Sequence, residues 1–152
     1  MPKKRIYKPK NDDEFLSDLA FIIFVAGFRY SLVSERFPLI KKAFHNFSIN
    51  KLSKFEEKDI EKIMKAKGMI KNRQKINAIV ENAKKCIIIQ QEFGSVLKWI
   101  KKKKTQHNKN PLFNPSLEEV FQKFSRIGKV TSGWLASLHN SKKNYIEYEV
   151  PG

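Results

Sequence analysis

Apolar positions recur every three or four residues along most of the chain, the period of α-helices that bury one face. Asn11 or Asp12 is placed to cap a first helix carrying Phe15, Leu16, Leu19, Phe21, Ile22, Ile23 and Val25. This helix is apolar nearly all round towards its end, which predicts a central place in the core, and Gly27 ends or bends it. A second helix is expected from about Ser31, interrupted near Pro38 and resuming through Ile40, Ala43 and Phe44. Ser53 with Glu56 resembles a capping box before Ile60, Ile63 and Met64, and Gly68 suits a C-cap. Ile76, Val80, Ala83 and Ile87 mark a long helix that Gly94 closes. Val96, Leu97, Trp99 and Ile100 begin another, running into Lys101 to Lys104.

Residues 105–115 are polar, with two prolines and three asparagines, and predict an internal loop. Ser116 caps a helix with Leu117, Val120, Phe121 and Phe124, and a further helix follows from Thr131 to Leu138. Strand-like alternation occurs only at the end, at Ile146, Tyr148 and Val150. The expected fold is all-α, a compact helical domain over 11–152 with a C-terminal helix–hairpin–helix. Residues 1–10 form a basic arm, ordered only where it touches the body or a partner.

Charge sharpens the picture. Thirty-one Lys and Arg face fifteen Asp and Glu, a net charge of +16 over 152 residues. A compact state repels itself at that charge unless a polyanion offsets it, which points first to nucleic acid and second to an anionic membrane surface. The longest apolar stretch, Leu19 to Phe28, is too short to span a bilayer. The single cysteine, Cys86, excludes a disulfide framework and suits a reduced compartment, so a soluble intracellular protein is expected.

The segment Ser125-Arg126-Ile127-Gly128-Lys129-Val130-Thr131 joins the last two helices. Such a turn can aim successive backbone N–H groups, with the positive end of the second helix, at DNA phosphates. Ile127 would plug the turn into the core, and Lys129 adds charge. Gly128 leaves room for a phosphate, or a bound monovalent cation, against the backbone. An ordinary helical hairpin bent at a glycine has the same spacing.

Three segments carry a resemblance: Ala26-Gly27-Phe28-Arg29-Tyr30, the run GMIKNRQKINAIVENA from Gly68 to Ala83, and the terminal hairpin. Together they resemble the DNA-3-methyladenine glycosylase I family of helix–hairpin–helix glycosylases, in register from about Asp12 to Ile100 and again at the hairpin. The resemblance implies a monofunctional enzyme that flips an alkylated purine from double-stranded DNA and hydrolyses its N-glycosidic bond in base excision repair. It places Gly27 and Phe28 as the wedge filling the vacated stack. It gives Tyr30, with Phe24 and Ile22, as the base pocket. Lys71, Arg73, Lys75, Arg126, Ile127, Gly128, Lys129 and Thr131 become the DNA-binding set. For Phe28 and Tyr30 the alternative is a plain core aromatic, and for the lysines a solvated basic face.

The departures narrow the chemistry. The family's base-recognising Glu falls at Ile22 and neighbouring glutamines fall at Phe24 and Val25, leaving stacking and cation–π attraction to hold a cationic base. Cys86, His45, His107 and His139 lack metal-ligand spacing, so no zinc is expected. No Asp lies beyond the hairpin to act as general base, with Glu147 or Glu149 as weak substitutes. Val130 stands where related lyases carry a nucleophilic Lys, which argues against Schiff-base chemistry. Beside a monomeric glycosylase stands a second reading, a non-catalytic DNA-binding module on the same scaffold. A basic RNA-binding protein is a third, and it leaves the motif segments unexplained.

Overall fold

A computed structural model describes residues 3–149. Eight α-helices pack around one core: α1 Asp12–Val25, α2 Tyr30–Ala43, α3 Ile49–Leu52, α4 Glu57–Met64, α5 Arg73–Phe93, α6 Val96–Lys109, α7 Leu117–Phe121 and α8 Lys129–Asn140. Two strands, β1 Lys3–Tyr7 and β2 Tyr145–Glu149, pair antiparallel with Lys3 opposite Glu149 and Tyr7 opposite Tyr145.

Helix α1 is central to the core because its second half, Leu19 to Val25, carries no polar residue. Phe15, Leu16, Leu19, Ala20, Ile23 and Phe24 are all enclosed, packing against α2, α5 and α6. Asn11 caps it, accepting from the Glu14 amide at 2.9 Å. The neighbouring Asp12 works across the fold. Its carboxylate accepts from the Val96 and Leu97 amides at 2.9 and 3.1 Å and so satisfies the first free N–H groups of α6.

Several expectations are corrected. Helix α2 runs through Pro38 without a break. Pro38 itself is exposed, and its ring costs the helix a single bond, the one to the Ser34 carbonyl. The capping box lies three residues later than expected, between Glu56 and Asp59, while Ser53 ends α3. Gly68 lies beyond the end of α4, in the turn leading to α5, with φ +80°. The loop expected at 105–115 is shorter, because 105–109 belong to α6. Tertiary bonds hold that last turn: Lys104 Nζ donates to the His139 carbonyl at 3.0 Å, and His107 Nδ1 lies 2.9 Å from the Asn114 carbonyl. Within residues 1–10, Lys3–Tyr7 touches the body as the partner strand of β2. Arg5 pairs with Glu147 at 3.2 Å across the ribbon.

Candidate functional site

The site begins where α1 ends. Gly27 takes φ +70°, a left-handed turn that a side chain resists, and the reversal throws Phe28 outward, 44% exposed. Lys75 fixes this turn from α5. Its Nζ donates to the Phe24 and Ala26 carbonyls at 3.1 and 2.7 Å and lies 6.0 Å from the Phe28 ring centroid. Burial lowers the Lys75 pKa, with Arg126 adding repulsion. Lys75, expected on phosphates, is therefore spent on the backbone beneath the wedge. Arg73 is also engaged, pairing with Glu57 at 2.6 Å and with Glu61. Lys71 is exposed.

Tyr30 opens α2 and turns back over α1, edge-on to Phe21 with centroids 5.5 Å apart. Its hydroxyl shares a 2.7 Å hydrogen bond with the hydroxyl of Tyr148 on β2, and Trp134 of α8 meets Tyr148 edge-on at 6.1 Å. These four aromatic residues wall a cleft of about 410 Å³, whose other lining residues are Ile22, Val25, Ala26, Val130, Thr131 and Glu149. The size and the apolar lining are those of a small-molecule site. Tyr30 and Ile22 occupy it together. Phe24 does not: it is fully enclosed against Phe44 at 6.3 Å, because it stands two positions from Ile22, roughly half a turn around α1, and so faces the core.

The hairpin forms the neighbouring rim. Ile127 is buried as the plug, and α8 starts at Lys129 with Gly128 as its N-cap and no side chain closing the helix end. The free N–H groups of that first turn thus face outward beside the exposed Lys129. Gly128 has φ −91°, and a Cβ built there would meet no protein atom within 4 Å. Nothing inside the fold requires a glycine at this position. Arg126 holds a left-handed φ of +60° and its Nη1 donates to Gln74 at 3.3 Å, while Thr131 Oγ1 donates to the Gly128 carbonyl at 3.2 Å. The whole turn hangs on Asn82 of α5. Its amide donates to the Ser125 carbonyl at 3.1 Å, and its Oδ1 accepts from the Ser125 amide at 2.7 Å.

Sequence reasoning missed Asn82, Trp134 and Tyr148 as parts of the site. The signal for Asn82 was present, a polar residue at a fully buried position of a long helix. Glu149 lines the cleft, while Glu147 faces Arg5. Among the described residues no cluster of three or more His, Cys, Asp or Glu side chains is arranged to hold a metal ion, and Cys86 is buried in the core. Among the same residues no helix is long and apolar enough to cross a membrane.

Known proteins agree with this architecture. The 3-methyladenine DNA glycosylase I of Staphylococcus aureus, solved for the structural basis of 3-methyladenine recognition, matches with a TM-score of 0.71 at 19% identity, over 86% of this chain and 76% of that one. A second crystal structure of a 3-methyladenine DNA glycosylase I matches at 0.63 and 21% identity, over 82% and 77%. At these identities the likeness is one of fold. The DNA-3-methyladenine glycosylase of Haemophilus influenzae is 37% identical over 59 residues, 39% of this chain and 32% of that relative, so the match spans about a third of the relative's length. The family profile described as Methyladenine glycosylase matches residues 7–128, from the first strand through the hairpin glycine. That match covers most of the chain, including Phe21 to Tyr30 on the cleft wall, and the chain belongs to the methyladenine glycosylase family.

Proposed function

We propose that this protein is a monofunctional DNA glycosylase that hydrolyses the N-glycosidic bond of alkylated purines in double-stranded DNA, as an intracellular monomer in base excision repair. The observation that carries the reading is the aromatic cleft set against the hairpin. A ligand ring entering beside Val130 and Thr131 meets Tyr30, Trp134 and Tyr148, within reach of a helix end suited to phosphate.

The chemistry follows from the substrate's charge. An N-alkylated purine is cationic in the nucleoside, so it departs as a neutral base and needs little protonation. The strand is held by the α8 N-terminus, Lys129, Lys71 and Arg126, all solvent-facing. Phe28 fills the space that the extruded nucleotide leaves. Stacking on Tyr30 and the edges of the neighbouring rings favours the flat cation. Glu149, at the cleft mouth, is the carboxylate placed to stabilise the oxocarbenium-like sugar and orient water. Val130, 88% exposed at the hairpin, offers no amine, which keeps the reaction to hydrolysis. No zinc takes part in this scheme.

The test is release of free base from N-methylated duplex DNA, followed chromatographically, with cleavage of the abasic strand scored separately. Free methyladenine without strand cleavage is expected. Binding of the duplex with no base released would leave the non-catalytic module instead.

A further inference from the structure

The α1 face that lines the aromatic cleft carries a carboxyl group the scheme above leaves idle. Asp18, Phe21, Ile22 and Val25 stand at helical spacing of three, four and seven, so they share one face. A second cavity of about 280 Å³ lies under the β-ribbon, lined by Lys4, Arg5, Ser17, Asp18 and the rings of Phe21, Phe37, Tyr30, Trp134 and Tyr148. It shares Phe21, Tyr30, Trp134 and Tyr148 with the first cleft. The partition between them includes the Tyr30–Tyr148 hydroxyl pair, a single hydrogen bond. Oδ2 of Asp18 is enclosed and has no hydrogen-bond partner. No cation lies within 4 Å of it among the described residues, and Arg5 is turned to Glu147. Buried carboxylates ordinarily find partners, so one left open in an aromatic chamber is a group awaiting a ligand.

We propose that Asp18 is the specificity-determining residue for the base, accepting a hydrogen bond from the exocyclic N–H of a flipped, positively charged purine once the Tyr30–Tyr148 bond parts. The inference rests on the glycosylase reading and deepens it. Asp18, one turn before the cleft-lining Ile22 on the same face of α1, brings a carboxyl group into a chamber walled by rings. Burial, with Glu14 adding repulsion, raises the Asp18 pKa to about 8, so the empty chamber holds a neutral carboxyl. A cationic base favours the ionised form, and the displaced proton leaves to solvent. Besides Glu14 on its own helix, the titratable groups facing Asp18 are Lys4 and Arg5 from β1, Tyr30 from α2 and Tyr148 from β2. A neutral, unalkylated purine gains no such charge pairing.

The experiment compares wild type with Asp18→Asn. Base release from N-methylated duplex should fall about tenfold or more, the usual loss with one charge-assisted hydrogen bond, while affinity for undamaged duplex stays the same. A second measurement needs no variant. The carboxyl carbon of Asp18, set apart from the other aspartates by its high pKa, should move to its ionised position when N-methylated duplex DNA is added to the wild-type protein labelled at Asp. Base release by folded Asp18→Asn at the wild-type rate, or a carboxyl resonance that stays put, overturns the assignment of Asp18 and leaves the glycosylase reading standing. A wild type that releases no base overturns both.

Discussion

Gly128 separates what the fold needs from what DNA needs, and replacing it with alanine reads the difference. In most tight turns a glycine answers to its own protein. At Gly68, for example, an added Cβ would lie 2.6 Å from Leu39 Cδ1, at φ +80°. At Gly128 the backbone is in an ordinary extended region and an added Cβ meets nothing within 4 Å. Restricting the unfolded chain gains about 0.4–1 kcal/mol, and the weaker N-cap costs about the same, so the two nearly cancel. Melting should therefore move by no more than about 3 °C. In the complex the methyl group would sit where a phosphate meets the free amides of the first turn of α8. Loss of one such charge-assisted contact weakens binding by about tenfold to a hundredfold, or about 1.4–3 kcal/mol. Fluorescence anisotropy with a labelled duplex, repeated over a salt series, measures it. The slope of log affinity against log salt should become shallower by about one unit. Affinity held within about twofold at every salt concentration would refute the phosphate role of this turn, since a fraction of a kcal/mol is too small for a lost contact. Collapse of stability would refute the claim that the fold is indifferent to Gly128.

Further predictions bear on the parts around that turn. Lys75→Met strips donors from the Phe24 and Ala26 carbonyls, so urea unfolding should show a loss of about 2–3 kcal/mol; a loss below about 0.5 kcal/mol would mean that water replaces the amine. Asn82→Ala breaks both bonds to Ser125, and faster hydrogen exchange at the Ser125 amide should accompany weaker duplex binding. Phe28→Ala should leave melting nearly unchanged, because the ring is 44% exposed, yet slow base release; an unaltered rate would remove Phe28 from the wedge role. Stability against pH carries a signature of two buried groups. Burial lowers the His139 pKa to about 4, so the unfolded chain binds more protons between about pH 4 and 6.5 and stability rises with pH there. Asp18, raised to about 8, holds its proton in the folded state from about pH 3.8 upward, so its contribution falls as pH rises. The two slopes oppose each other up to about pH 6.5. Beyond it Asp18 acts alone and should cost about 2 kcal/mol by pH 8, a decline that Asp18→Asn abolishes in melting experiments.

Which features the sequence revealed follows the range of the forces involved. Helix α1 and the hairpin plug Ile127 were legible because apolar spacing is a local record of burial. The last turn of α6 was not, since polar Thr105 to Lys109 has no apolar stripe: His107 reaches Asn114, and Lys104 just before it reaches His139. The first strand was hidden for the same reason: its partner is more than 130 residues away. At the site, Tyr30 was named through the segment around Gly27, while Trp134 and Tyr148 reach it from elements distant in sequence. Lys75 and Arg73 looked like phosphate ligands until the structure supplied their carbonyl and carboxylate partners. Asp18 left a trace, a carboxylate at mid-helix directly before the unbroken apolar run Leu19 to Val25, and only the aromatic chamber around it gives that trace meaning.

The central claim is that the Tyr30 cleft holds a base on its way out of DNA. Single-turnover base release from N-methylated duplex, with wild type and Tyr30→Ala at equal occupancy of the DNA, tests it most directly. Free methyladenine is expected from the wild type, with release slowed by about tenfold to a hundredfold in Tyr30→Ala, the worth of one stacked base. Equal release by the two proteins at full DNA occupancy would contradict it.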